Sequence, residues 1–352
     1  MQAVHLHGPT DLRLSEVSEL DTSPASGEGL IRVGAVGICG SDLHLYQSGQ
    51  IGNIGQAGPF VPGHEFMGTV ISVGDDPLDG NYRPLEIGQR VAVDPQVPCR
   101  KCESCDAGLP NLCPHHAFFG LHPTDGALRE RMVVPTRNCF PIPDSISDGG
   151  GAILETLGVA IHAMDLAHTK ISKSAVVIGC GPVGLLIVRL AHLAGLDPII
   201  AIDSIQSRAD FARPWGATHT IARKSEDSID EVLSVAEGRG IETVIEAAWA
   251  GESVDASARM AAPGGKIVLV GIPEDDGCQI PHSEARRKGL SVVFSRRMKR
   301  VTPRAIRLAT GPEPRIKVDE LITHVFSLTD TAKAFELNSS YSDGVLKAII
   351  KP

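Results

Sequence analysis

The sequence predicts an α/β protein in which a doubly wound parallel sheet domain is set into a second, mostly β domain. Three observations predict it. Residues 174–295 alternate short apolar runs with helix-period segments, residues 1–150 are rich in glycine, proline and short β-branched runs, and 352 residues exceed one ordinary core. Residues 1–155 and 296–352 are accordingly assigned to one domain and 156–295 to the other.

In the first part, "LIRVGAVGICG" (30–40), "GTVISVG" (68–74), "QRVAVDP" (89–95) and "ERMVVP" (130–135) read as strands of an irregular, mostly antiparallel region. The texture changes near residue 156. "SAVVIG" (174–179), "PIIAID" (198–203), "TVIEAA" (243–248) and "KIVLVG" (266–271) suit strands buried on both faces. Helix-period segments at Val183–Ala194 and Ser207–Trp215 lie between them. After "LSVVFS" (290–295) the chain becomes basic and irregular, and it ends in a helix, Asp330–Leu337, and a strand, "GVLKAII".

Composition narrows the function classes. A hydrophobic fraction of 42% with 37 Gly and 24 Pro is that of a turn-rich globular protein. A formal charge of −9 argues against a broad phosphate-binding surface and so against nucleic acid as a partner. The start, "MQAVHLHGPTDLRL", lacks a basic segment followed by an apolar one, which implies no secretion. The most apolar stretch, Ala175 to Gly195, is broken by Arg189, His192 and several glycines, so it reads as a buried strand and helix, not a membrane span. The expected compartment is the cytoplasm, where clustered cysteines ligate metals in preference to forming disulfides.

Four of the eight cysteines fall in "CRKCESCDAGLPNLC". Cys99, Cys102, Cys105 and Cys113 have the spacing C-x2-C-x2-C-x7-C. Four thiolates close a tetrahedral Zn2+ at Zn–S distances of about 2.3 Å and leave no open position, which makes such a site structural. An iron–sulfur cluster matches the same ligand count. Cys139, Cys180 and Cys278 read as ordinary thiols.

"SAVVIGCGPVG" runs a strand into Gly179, Gly181, Pro182, Val183 and Gly184, spaced G-x-G-x-x-G, with the apolar helix "LLIVRLAHLAG" following. Such glycines permit a tight turn, close approach of a pyrophosphate and close packing of helix on strand, while the helix N-terminus supplies N–H donors. This is the Rossmann fingerprint. Asp203 follows at the end of the next strand, where a carboxylate accepts from a ribose hydroxyl and repels a 2′-phosphate, so NAD is favoured over NADP. The plainer role for Asp203 is to cap the next helix. Arg208 lies nearby and would soften the preference.

Three further elements carry reactive side chains: "GICGSDLH" holds Cys39, Ser41 and His44, "GHEFMG" holds His64 and Glu65, and "LETLGVAIHA" holds Glu155. Singly, these read as a buried thiol, a core histidine and a helix-start acid. Together, one thiolate, one imidazole and one carboxylate give three protein ligands and an open fourth position, the pattern of a catalytic zinc. An open Zn2+ lowers the pKa of a bound alcohol, and a nicotinamide then takes the hydride.

These motifs resemble those of the zinc-dependent medium-chain alcohol/polyol dehydrogenases, nearly end to end. The family's glycine-histidine-glutamate signature stands as Gly63-His64-Glu65 with Gly68 and Gly74, its structural-zinc loop as the four-cysteine stretch, and its nucleotide fingerprint as Gly179, Gly181 and Gly184. The resemblance implies a GroES-like catalytic domain, two zinc ions per chain, and a dimer or tetramer. It implies that Cys39, His64 and a glutamate hold the catalytic zinc, with Ser41 bonding the substrate oxygen and His44 passing the proton outward. Glu65 and Glu155 both remain candidates for the third ligand, Glu155 the favoured one; Glu65 would otherwise orient the site.

"CGSDLH" and the basic segment "FSRRMKRVTPRAIRLATG" (294–311) resemble the sorbitol, iditol and xylitol branch more than the primary-alcohol branch. Arg296, Arg297 and Lys299 are expected at substrate hydroxyls, and Phe119 is expected at the pocket. The basic run reads equally as a solvated loop or subunit contact, or as a holder of a sugar phosphate. Thr156, Gln89, residues 75–86 and residues 118–126 depart from the family pattern, the last weakening the choice of substrate most. The expected activity is reversible NAD-linked oxidation of a secondary alcohol, a polyol by this reading. L-Threonine, an aldose, a simple secondary alcohol or a phosphorylated polyol are the alternatives. The non-enzymatic rival is a zinc-stabilised regulatory protein that retains NAD without turnover.

Overall fold

The computed structural model describes residues 1–20, 23–248, 250, 252–273 and 277–352. Backbone contacts divide the chain into two units, Met1–Gly158 with Lys299–Pro352, and Val159–Met298.

The first unit is built on a seven-stranded sheet. Its strands run in the order Cys139–Pro141, Arg90–Val93, Glu65–Val73, Glu28–Gly37, Lys347–Lys351 and Ile322–Ser327, and Arg131–Pro135 also pairs with Glu28–Gly37. All pairs are antiparallel except the last, Ile322–Ser327 on Lys347–Lys351. Ile31, Val33, Val36, Phe66, Val70, Phe335 and Ile350 meet in its core. Burial of each such side chain contributes roughly 1.5–3 kcal/mol. The register pairs Gly37 with Glu65 and Ile349 with Gly37, which brings three segments distant in sequence to one place. A Cβ at Gly37 would collide with the Glu65 carboxylate, so the close approach requires glycine.

The second unit is a six-stranded parallel sheet. Its order is His219–Ile221, Ile199–Ile202, Ala175–Ile178, Ile241–Glu246, Ala261–Leu269, Ser291–Phe294. In chain order that is 3-2-1-4-5-6, the doubly wound arrangement, whose ligand crevice opens beyond the carboxyl ends of strands 1 and 4. Ala175–Ile178 and Ile199–Ile202 are buried at every position, because helices cover both faces.

Several elements depart from expectation. The helix foreseen at Ser207–Trp215 is Gln206–Phe211; Pro214 lacks an N–H and disfavours helical backbone before it, so the helix stops short. The segment after residue 295 contains a helix, Thr302–Ala309, with Thr302, Ala305 and Ala309 buried; its arginines masked an amphipathic period. Glu155 is no helix-start acid, since its helix runs Asp148–Ala167 and Asp148 occupies the first turn. Among the described residues this is the one helix long and apolar enough to cross a membrane, and 78% of its apolar window is buried inside the protein, as in a core helix.

Glu242 ties the start of the first strand of the parallel sheet to its neighbour. It accepts from the Ser174 amide at 2.8 Å, the Lys173 ammonium at 3.0 Å and the Ser174 hydroxyl. Partial burial acts to raise the carboxyl, but these donors prevail and bring it down to about 2. A depressed carboxyl stabilises above its unfolded value of about 4.3 and loses that contribution as pH falls towards the folded value. Because the side chain is 40% exposed, solvent screening leaves about 1 kcal/mol. Glu242→Gln is therefore expected to lower stability by about that amount at pH 7, with the difference vanishing between about pH 4.3 and pH 2 in denaturant titrations.

Candidate active site

Cys39 precedes the helix Gly40–Ser48 and sits in extended backbone, with φ −98° and ψ 158°. Asp42, one turn into that helix, reaches back so that its Oδ2 accepts from the Cys39 amide at 3.0 Å. Its other oxygen lies 3.4 Å from His64 Nδ1. One buried carboxylate thus fixes both the turn that carries the thiol and the face of the imidazole, leaving Nε2 towards Ser41, whose Oγ is 3.5 Å away. Burial opposes charge on His64, yet Asp42 and then Cys39 outweigh it and raise the imidazole well above its ordinary value. His44 lies one turn beyond Ser41 on the same helix.

The Cys39 sulfur, a His64 nitrogen and a Glu65 oxygen all lie within 4.8 Å of one another. Ligands about 2.0–2.3 Å from one tetrahedral ion are roughly 3.3–3.8 Å apart, so small movements close these three on zinc, and the thiolate, imidazole and carboxylate set suits that ion. Glu65 already has a partner: Lys347 Nζ donates to its two oxygens at 2.9 and 2.6 Å and to the Ile38 carbonyl at 2.9 Å. Glu155 is buried but not among these clustered ligands, and it makes no hydrogen bond or ion pair to any described residue. Its carboxyl is raised to about 8, chiefly by burial, with Glu65 and Asp94 adding to the rise and His64 and Lys347 opposing it. A cation placed here would reverse that balance.

Phe119, expected at the substrate, packs in the core edge-to-face on Phe66, with ring centroids 6.1 Å apart. Phe118 instead faces His64 at 5.5 Å. Adjacent side chains leave an extended chain in opposite directions, so only one of the pair can line the site. Arg296 and Arg297 belong to the unit Val159–Met298, Lys299 to the other; Arg296 is exposed, and Arg297 and Lys299 are half-buried.

Cys99, Cys102, Cys105 and Cys113 form a second cluster, also within 4.8 Å. The Cys113 sulfur is 3.5 Å from Cys99 and 3.7 Å from Cys102, against about 3.8 Å for sulfurs sharing one zinc at tetrahedral angles. The space fits a single ion and is too small for an iron–sulfur cluster. Burial acts to raise the Cys113 thiol, but donors from Cys99, His115 and Cys102 bring it down to about 7, close to the thiolate that a metal requires.

In the parallel-sheet unit, Gly179 has φ +94° and Gly181 begins the helix Pro182–Leu193 with Pro182 at its first position. A Cβ at Gly181 would meet nothing within 4 Å, whereas one at Gly184 would collide with the Gly179 carbonyl. The open space at Gly181 fits a pyrophosphate against the backbone, and Gly184 is required by the packing of helix on strand. Gly184→Ala is expected to lower NAD affinity at least tenfold, read by calorimetric titration, because the turn must shift to admit the methyl group. Asp203 is not the N-cap of the next helix, a position held by Ile205 without a side-chain cap bond, but it fixes the turn before that helix. Its Oδ1 accepts from the Ile205 amide and its Oδ2 from the Cys180 amide, each at 2.8 Å, and the carboxylate lines the cavity beside Gly179. Arg208 lies near enough to act electrostatically on Cys180.

Sequence reasoning missed Asp42 and Lys347. Asp42 stands three residues after Cys39, the spacing of a capping pair, and that signal could have found it. Lys347 lies 282 residues from Glu65, and no local pattern links them.

Comparison with known proteins accords with this geometry. Residues 25–144 match the model of the alcohol dehydrogenase GroES-like domain and residues 182–311 that of the zinc-binding dehydrogenase. The chain is 31% identical to sorbitol dehydrogenase of Bacillus subtilis, over 100% of this chain and 97% of that protein. It is 34% identical to sorbitol dehydrogenase 1 of Saccharomyces cerevisiae, over 91% and 89%. A Sinorhizobium meliloti protein assigned as a zinc-binding dehydrogenase and solved with NADP superposes with a TM-score of 0.87 at 30% identity, covering 100% of this chain and 99% of that one. With both domains matched and relatives aligned along its length, the chain belongs to the zinc-dependent medium-chain alcohol/polyol dehydrogenase family.

Proposed function

We propose that this enzyme oxidises a secondary alcohol of a polyol to the ketone, reversibly, with NAD as the hydride acceptor. The observation that carries the reading is the cluster of half-buried Cys39 with buried His64 and Glu65, Ser41 beside it, in a chain similar to two sorbitol dehydrogenases. Cys39, His64 and Glu155 hold the catalytic zinc, and the four cysteines hold the structural one. Glu155 is preferred as third ligand because Lys347 already satisfies both oxygens of Glu65; Glu65 then orients the site. When bound, the zinc polarises the alcohol oxygen and eases loss of its proton, and the nicotinamide takes the hydride.

The chain's own residues do the remainder. Asp42 holds the imidazole and the Cys39 turn in place, Ser41 Oγ accepts the substrate's hydroxyl proton as it gives up its own to the relay, and His44 passes that proton outward. Phe118 supplies an apolar wall by His64 that limits water. Asp203 binds the adenosine ribose. Arg296, Arg297 and Lys299 meet further substrate hydroxyls, where an unmatched hydroxyl would discriminate strongly between substrates. The enzyme works as a dimer or tetramer in the cytoplasm, a compartment supported by its eight unpaired thiols.

The test is NADH formation by zinc-loaded protein given sorbitol, xylitol, ribitol, galactitol, L-threonine, glucose or 2-butanol. Turnover concentrated on polyols is expected. Turnover of threonine, glucose or butanol with inert polyols would overturn the substrate and leave the chemistry standing.

A further inference from the structure

The cavity beside Gly179 is lined by both an acid and cations. It has a volume of about 180 Å³ and is lined by Asp203, Ser204, Arg223, Lys224, Ser225 and Ser253 among others. Its walls include the carboxyl ends of strands 1 and 2 and the segment after strand 3 of the parallel sheet, and the adenosine end of a dinucleotide lies at this edge in sheets of this order. Ser253 marks it as a ligand site: the residue is 1% exposed and its Oγ has no hydrogen-bond partner, a state that buried hydroxyls rarely keep once a ligand is present.

Dinucleotide sites ordinarily carry either an acid that binds the ribose 2′-hydroxyl or an arginine that receives a 2′-phosphate. This cavity carries both. Arg223 is paired with Glu231, and the Lys224 ammonium makes no ion pair with any described residue. Ser204 follows Asp203 directly and adds a hydroxyl donor. Asp203 is held rigidly by two backbone amides, so its charge cannot swing aside for an incoming anion.

We propose that Arg223, Lys224 and Ser204 form a 2′-phosphate subsite that Asp203 alone keeps shut. NADP is thus refused by one carboxylate and not for want of a phosphate site, and removing that carboxylate converts the cofactor preference without new cations. The proposal rests on the dinucleotide reading of this cavity.

The test measures binding, not turnover. NAD and NADP are titrated calorimetrically into the whole chain, without alcohol, for the unaltered protein, Asp203→Gly and Asp203→Ser; the serine keeps an oxygen for the Cys180 amide should the glycine variant fold poorly. The unaltered chain is expected to favour NAD. At least one Asp203 variant is expected to shift the NADP-to-NAD affinity ratio by about 100-fold or more, mainly through tighter NADP binding. Adding Arg223→Ala and Lys224→Ala to that variant is expected to weaken NADP at least about tenfold more than NAD, with the loss shrinking at high salt. Folded Asp203 variants that bind NADP no better would overturn the proposal, as would a gain that survives loss of both cations. If the unaltered chain binds neither dinucleotide, the cofactor reading itself falls, and the subsite with it.

Discussion

Replacement of Lys347 by methionine is expected to destabilise the protein by about 3–5 kcal/mol, although no zinc ligand changes. Lys347 and Glu65 are 2% and 1% exposed, and the lysine gives three hydrogen bonds, two to the carboxylate and one to the Ile38 carbonyl. Methionine fills a similar volume but leaves the Glu65 charge buried and unpaired. Removal of one partner from a buried pair is costly because the other cannot recover its hydration. The double variant Lys347→Met with Glu65→Gln should recover part of the loss, and a double-mutant cycle in urea measures the coupling.

The pH dependence follows. Burial opposes charge on Lys347, but Glu65 and then Cys39 outweigh it and hold the ammonium above its ordinary value. A raised folded value means that the contribution is complete below the unfolded value of about 10.4 and is lost as pH rises through the folded one. The gap between variant and parent should therefore persist at neutral pH and narrow only above about pH 10.4. A gap that closes nearer neutrality would show that the pair does not carry the stability.

Cys39→Ala is expected to lower kcat/KM at least about 1000-fold, since a metal that polarises the reacting oxygen supplies several kcal/mol of barrier reduction. Zinc content should fall from two per chain to one, with little change in melting temperature, because the four-cysteine cluster is untouched. Cys105→Ser gives the contrasting pattern, losing the other zinc and melting earlier. Equal effects of the two substitutions on melting and on rate would contradict the division of labour between the two sites.

The parts legible in the sequence share one property: their information is local. The four cysteines occupy fifteen residues, and Gly179, Gly181 and Gly184 lie in one turn between an apolar strand and an apolar helix. The parallel strands announced themselves as short apolar runs because both faces are covered. Cys39, His64 and the two glutamates were legible as residue types, but not in their arrangement. The pairing of Gly37 with Glu65 brings Cys39 to His64 and Glu65, Glu155 comes from a separate helix, and the strand Lys347–Lys351 delivers the cation that engages Glu65. The choice between Phe118 and Phe119 depends on which face of an extended segment meets His64, a single-residue matter of register that composition does not encode. Arg223 and Lys224 follow a three-residue strand, His219–Ile221, too short for its pattern to stand out, so the cavity they line was not visible before the fold.

The most direct test of the account is a zinc titration of metal-stripped protein, with bound zinc and NADH formation from a reactive alcohol followed together. A first equivalent, held by Cys99, Cys102, Cys105 and Cys113, is expected to restore thermal stability without turnover, and a second to restore turnover in proportion to its binding. Full turnover with one zinc per chain, or turnover that survives in Cys39→Ala protein, would contradict it.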